Sequence, residues 1–108
     1  MAHYLLQIGY TNEAWASQVK NPQDVMARAR PLIEGLGGKI DTVYYAFGDY
    51  DLVGIMEMPD NVSAAAVSLA VSAGGAAKTV KLTPLMTVEE GIEALKRAGS
   101  SGYQPPSA

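Results

Sequence analysis

The sequence predicts an α+β domain built on one four-stranded antiparallel sheet, and three observations carry that reading. Four segments rich in β-branched and aromatic residues alternate with segments whose apolar residues recur at helical spacing. The second and third strand segments are separated only by a Gly48-Asp49 turn signal, which makes them an antiparallel hairpin. Behind the fourth strand, Thr87-Val88-Glu89-Glu90 has the spacing of a capping box and opens one more helix.

The first strand segment runs from His3 to Tyr10, with Tyr4, Leu6, Ile8 and Tyr10 on one parity and His3, Leu5, Gln7 and Gly9 on the other. Thr11-Asn12 ends it, and Glu13 to Lys20, carrying Trp15, reads as a short helical lead-in. Asn21-Pro22 reads as a helix start, because Asn caps and Pro suits the first helical position. Val25, Ala29, Leu32, Ile33 and Leu36 then share one helix face, with Pro31 expected to kink it and Gly37-Gly38 to end it. Lys39 to Phe47 and Tyr50 to Met58 are the hairpin strands, the first carrying Val43, Tyr45 and Phe47 on one parity and Ile40, Tyr44 and Ala46 on the other.

Pro59-Asp60 stops the third strand. Asp60 or Asn61 caps a helix whose face reads Val62, Ala66, Leu69, Ala70 and Ala73, ended by Gly74-Gly75. Ala77 to Leu82 is the fourth strand, closed off by Thr83-Pro84, and its Lys78 and Lys81 suit an edge position. The last helix carries the apolar stripe Val88, Ile92 and Leu95, has Lys96 and Arg97 in the turn where the helix dipole favours cations, and stops at Gly99. The order β-α-β-β-α-β is the ferredoxin-like pattern, with two helices on one face of the sheet and, here, an extra C-terminal helix. In this reading residues 1–98 form the domain and residues 99–108 a flexible tail, whose Tyr103-Gln104-Pro105-Pro106 could dock on a neighbouring subunit.

Composition narrows the function. The chain has 108 residues, 8 Lys plus Arg against 11 Asp plus Glu for a formal charge of −3, and no Cys. An apolar fraction of 48% suffices for one core without disulfides. The charge gives no electrostatic reason to bind nucleic acid or an anionic membrane. The lack of Cys excludes thiolate nucleophiles and thiolate metal sites. No run is long and apolar enough to span a bilayer, and the N-terminus lacks a basic export signal, so a cytoplasmic location is expected. The Gly35-Leu36-Gly37-Gly38-Lys39 run follows a helix rather than a strand and matches no nucleotide-binding fingerprint.

The strands carry apolar residues on both parities, so the face without helices would be an exposed apolar patch. A second copy packed sheet to sheet removes it. The expected partner is therefore the chain itself, as a homodimer or a higher homo-oligomer, with side chains and a possible small-molecule ligand enclosed in the assembly.

The hairpin Phe47-Gly48-Asp49-Tyr50-Asp51-Leu52-Val53, followed by Glu57-Met58-Pro59-Asp60, resembles the signature of the GYD-domain family. Tyr10-Thr11, Gly37-Gly38-Lys39-Ile40, Lys78-Thr79 and Leu85-Met86-Thr87 extend the likeness over roughly residues 3 to 98. Gly48 and Tyr50 are not adjacent here, since Asp49 stands between them. The resemblance implies the dimeric α/β-barrel class, small bacterial and archaeal proteins of mostly unassigned function. In other families of that class the enclosed cavity holds haem, aromatic polyketides, lactones or regulatory amino acids, an analogy of fold alone.

The candidate ligand-binding residues are His3, Tyr10, Trp15, Tyr44, Tyr45, Phe47, Asp49, Tyr50 and Asp51. Gly48 to Asp51 is a hairpin turn in the plainer reading; in the other, Tyr50 and Asp51 sit at a cavity mouth and contact a polar ligand. Tyr44 and Tyr45 point to opposite faces, so one of them faces the uncovered side, either as dimer packing or as an aromatic pocket wall. His3 is the only histidine, and a single His with no Cys and no visible ligand cluster predicts neither a metal nor a cofactor. No catalytic residue is assigned. The expected function is a small-molecule-binding module. The alternatives are a cofactor-independent isomerase or monooxygenase on a small aromatic or lactone substrate, with Asp51 or His3 as base, and a purely structural subunit.

Overall fold

The computed structural model describes residues 1–107. Its elements are β1 (Ala2–Tyr10), α1 (Asn12–Lys20), α2 (Met26–Gly35), β2 (Lys39–Tyr45), β3 (Leu52–Met58), α3 (Asn61–Ala73), β4 (Ala77–Leu85) and α4 (Val88–Gly99). The strands form one antiparallel sheet in the order β2-β3-β1-β4, the ferredoxin-like α+β arrangement. Tyr4, Leu6 and Ile8 of β1 pair with Met56, Gly54 and Leu52 of β3, so their parity is the one turned toward the helices. The core gathers there. Tyr4, Ile33, Met56, Met58, Ala64 and Val67 form one buried cluster, and Ile8, Tyr10 and Leu52 a second. The Tyr4 hydroxyl donates to Asn61 Oδ1, which satisfies the buried phenol and ties β1 to the start of α3.

Several local expectations change. Asn21-Pro22 closes α1 instead of opening α2: Asn21 is the C-cap of α1, its N–H bonds Ser17 O, and Pro follows because it cannot continue the helix. Helix α1 starts at a Thr11 cap whose hydroxyl accepts from Ala14 N at 3.1 Å. Helix α2 begins at Met26, whose N–H goes to Asp24 Oδ1, and runs on through Pro31. Its predicted face holds, with Ile33 buried and Val25, Ala29, Leu32 and Leu36 half-buried. At its end Gly37 takes φ 87°, and the bonds Gly38 N–H to Ile33 O and Gly37 N–H to Glu34 O make a Schellman turn.

The hairpin strands stop short of the prediction, at Tyr45 and Leu52, so residues 46–51 form a longer loop closed by Ala46 N–H to Asp51 O. Strand β4 runs past Thr83-Pro84 to Leu85, with Pro84 opposite Tyr4; an edge strand tolerates the missing donor. In α3 the expected face is rotated away from the core. Ala64 and Val67 are buried, whereas Val62 and Leu69 are exposed. The helix is Ala- and Ser-rich nearly all round, so its apolar pattern fixes no single face.

A β-bulge at Asp41 shifts the parity of β2. Ile40 pairs with Met56 and Thr42 with Ile55, leaving Asp41 as the extra residue. Ile40 therefore shares the helix side with Val43 and Tyr45, although simple alternation puts them apart. Leu5, Val53, Ile55, Thr42 and Tyr44 share the opposite face, where Tyr44 is 68% exposed. The capping box of Thr87 and Glu90 is formed, but the α4 stripe of Val88, Ile92 and Leu95 stays exposed. The radius of gyration is 17.4 Å, where roughly 13 Å is expected of a compact chain of this length. Residues 101–107 carry no helix or strand; the last residue of the predicted tail, Ala108, lies outside the described residues.

Candidate functional site

Between the sheet and its helices lies a partly enclosed cavity of about 510 Å³, within the range of small-molecule sites. Leu6, Ile8, Leu52 and Met56 form its floor, and α2 and α3 supply walls that include Ala29, Leu32, Val67 and Val71. The space follows from side-chain size. Ala14, Ala29, Ala70, Ala76 and Ala77 line it where larger residues would fill it, and Gly54 contributes no side chain to its floor. The polar lining side chains are Tyr10, Ser17, Gln18 and Arg28. A smaller hollow of about 240 Å³, lined by Trp15, Gln18, Val19, Pro22, Gln23 and Tyr45, adjoins it through Gln18.

Of the nine residues expected at a site, four converge beside this cavity. Tyr10 and Trp15 meet edge to face with centroids 5.2 Å apart, and Tyr45 lies 6.5 Å from Trp15. Asp51 Oδ2 accepts from Tyr10 N–H at 2.8 Å and from Trp15 Nε1–H at 3.3 Å. The Asp51 backbone is also bound, its N–H to Ile8 O and its O from Ala46 N–H. Asp51 is thus a clasp that holds α1 and the hairpin loop against the end of β1, and its lone pairs point at protein donors. Burial raises the Tyr10 phenol above its usual pKa, Tyr45 adds to the rise, and the Arg28 guanidinium beside it opposes it. The hydroxyl therefore stays protonated across neutral pH, as a donor.

The remaining residues fall elsewhere. Phe47 is fully exposed and Asp49 exposed on the hairpin loop, Tyr50 is half-buried there, and Tyr44 lies on the open sheet face. His3 lies on that face too. Its Nε2 is 3.8 Å from both Asp41 Oδ2 and Glu57 Oε1, and the three side chains place one ligand atom each within 4.8 Å of one another. They could contact one cation. Lys39 Nζ, however, already sits 3.1 Å from Glu57 Oε2. Desolvation and then the Glu57 carboxylate raise Asp41, whereas Lys39 and then Asp41 lower Glu57. The cluster is a cross-strand ion network in which Lys39 already neutralises Glu57. Sequence reading missed it because the bulge, which brings Asp41 to this face, has no residue signature. It also missed Arg28, whose position on α2 reads as ordinary helix surface.

The fold defines a small α+β domain with a largely apolar cavity between its sheet and helices. A family model described as GYD domain matches residues 4–95, and the chain belongs to that family. No curated protein matches it in sequence. No helix among the described residues is long and apolar enough to cross a membrane.

Proposed function

We propose that the protein is a homodimeric small-molecule-binding module whose ligand occupies the cavity between the sheet and helices α1, α2 and α3. The cavity carries this reading: about 510 Å³ of largely apolar space is retained where filled alanine positions would give a tighter core. Its lining among the described residues holds no carboxylate and no imidazole, and Tyr10 is held protonated, so binding is favoured over proton abstraction. A ligand that binds only the folded chain raises the melting temperature, by about 2.7 kcal/mol of stability at a hundredfold excess over Kd. Trp15, the sole tryptophan and packed against Tyr10, reports occupancy by fluorescence. Ala29→Leu with Ala70→Leu narrows the space and weakens each response while the fold persists. A broad metabolite screen with no response, or narrowed variants that keep every response at full strength, would refute the reading.

The dimer rests on exposed area. The chain exposes 7445 Å², against roughly 5,800 Å² expected of a compact 11.4 kDa protein, an excess on the order of 1,600 Å². Obligate dimers bury about 1,000–2,500 Å² on each partner. The apolar residues outside the core include Leu5, Val53, Ile55 and Tyr44 on the open sheet face, Leu85 opposite His3 at its edge, and the exposed Met86, Val88, Ile92 and Leu95 before and along α4. A second copy offers the same face and covers this one. Sedimentation of the wild type gives a dimer at micromolar concentration, and Ile55→Asp gives a folded monomer. A wild-type monomer would overturn it.

A further inference from the structure

We infer that the ligand is an apolar carboxylic acid, aliphatic or aromatic, with its body in the cavity and its carboxylate on the Arg28 guanidinium and the Tyr10 hydroxyl. The inference rests on the proposed cavity function and specifies its ligand class. Three observations point to it. First, the lining is apolar apart from Tyr10, Ser17, Gln18 and Arg28, and the one charged side chain among them is Arg28. A guanidinium beside an apolar wall matches an anion with an apolar tail and is poorly matched to a sugar or a neutral lipid.

Second, Arg28 has no carboxylate partner among the described residues, and its guanidinium stands beside the Tyr10 phenol. The other two arginines each face a carboxylate four residues away, Arg30 with Glu34 at 4.0 Å and Arg97 with Glu93 at 3.1 Å. Asp24, four residues before Arg28, takes the Met26 N–H, and Asp51, which binds the Tyr10 backbone, takes the Tyr10 N–H and the Trp15 indole. Third, Arg28 lies in the first turn of α2, which contains no acidic residue. A cation there opposes the helix dipole and gains nothing locally, whereas a bound anion meets both the guanidinium and the positive helix end. The Tyr10 hydroxyl, kept protonated by burial, supplies a neutral donor at the same spot.

The test uses matched probes with and without the carboxylate: octanoate against octanol, and naphthoate against methylnaphthalene. Trp15 fluorescence and calorimetry give Kd for the full-length chain. Both acids are expected to bind at least about tenfold tighter than their neutral partners, as a charge-assisted hydrogen bond implies. Arg28→Gln is expected to bring each acid to within about twofold of its neutral partner, and to leave the neutral probes unchanged. Tyr10→Phe should narrow the same ratio by a smaller factor. Equal binding of acid and neutral probes, or an acid preference that survives Arg28→Gln, overturns the inference and leaves the cavity reading standing. Failure of all four probes to bind overturns both. The narrowed variant Ala29→Leu with Ala70→Leu distinguishes cavity binding from association at the open sheet face, since only cavity binding is weakened in it.

Discussion

Replacing Asp51 by Ala tests whether this carboxylate is a structural clasp or a free chemical group. Its Oδ2 holds the Tyr10 backbone N–H at 2.8 Å and the Trp15 indole N–H at 3.3 Å. Tyr10 is only 6% exposed, so its N–H has little access to water once the carboxylate is gone. An unsatisfied buried donor costs about 1–3 kcal/mol. Trp15 is half-buried and its indole N–H can turn toward solvent, so its loss adds on the order of 0.5–1 kcal/mol. We expect Asp51→Ala to lose about 2–3 kcal/mol, read by urea unfolding, and roughly 10–20 °C of melting temperature. Trp15 emission should shift to the red, because the indole leaves its place against Tyr10. Asp51→Asn retains an acceptor oxygen for the Tyr10 N–H and should lose less than half as much. A loss below about 0.5 kcal/mol for Asp51→Ala, with unchanged emission, would refute the clasp and return Asp51 to the list of available bases.

Three further predictions concern packing and pH. A Cβ on Gly38 would stand 2.2 Å from Met58 Sδ and 2.4 Å from Glu57 O, and Met58 is fully buried, so Gly38→Ala should cost about 1–3 kcal/mol in urea unfolding. Gly35→Ala, whose added methyl meets nothing within 4 Å at the end of α2, should instead gain about 0.5–1 kcal/mol. The Asp60 carboxylate accepts from Ser63 N–H, and this bond lowers its pKa. A lowered folded pKa means the stabilisation is complete above the ordinary Asp value and is lost as pH falls through the folded one. Asp60→Asn keeps the cap without the titration, so acid should destabilise the variant less than the wild type; equal acid sensitivity would show that the cap carries none of it.

Much of the fold was legible because several signals agreed at each place. Thr87 and Glu90 announced a capping box that forms as read, and the spacing of Val25, Ala29, Leu32, Ile33 and Leu36 gave the true inner face of α2. Helix α3 was misjudged because alanine and serine surround it, and only contact with β4 and β3 decides which of them turn inward. Asn21-Pro22 was read in the wrong direction because Asn and Pro serve both helix starts and helix stops. At the site, Tyr10, Trp15, Tyr45 and Asp51 were recognisable as aromatic and acidic residues at or just beyond the ends of β1, β2 and β3. Their convergence depends on where α1 folds back, and no local pattern encodes that. Arg28 was invisible for the same reason: an arginine on a helix is ordinary until its neighbours are known to be apolar and its carboxylates taken.

The bulge at Asp41 lets β2 lose one residue there without turning over. Ile40 stays opposite Met56 and Thr42 opposite Ile55 whether or not Asp41 stands between them, so deleting it restores regular pairing and leaves Val43 and Tyr45 on the cavity side. A deletion between Thr42 and Tyr45 has no such outlet: side chains alternate with a period of two, so the residues on one side of the gap exchange faces. Residues 46–51 bear no such constraint, since a loop absorbs an added residue without reversing a face. Insertions and deletions that drift into this gene should therefore accumulate in the hairpin loop or at the bulge and be purged from Thr42 to Tyr45, where one codon separates a cavity wall from the open sheet face.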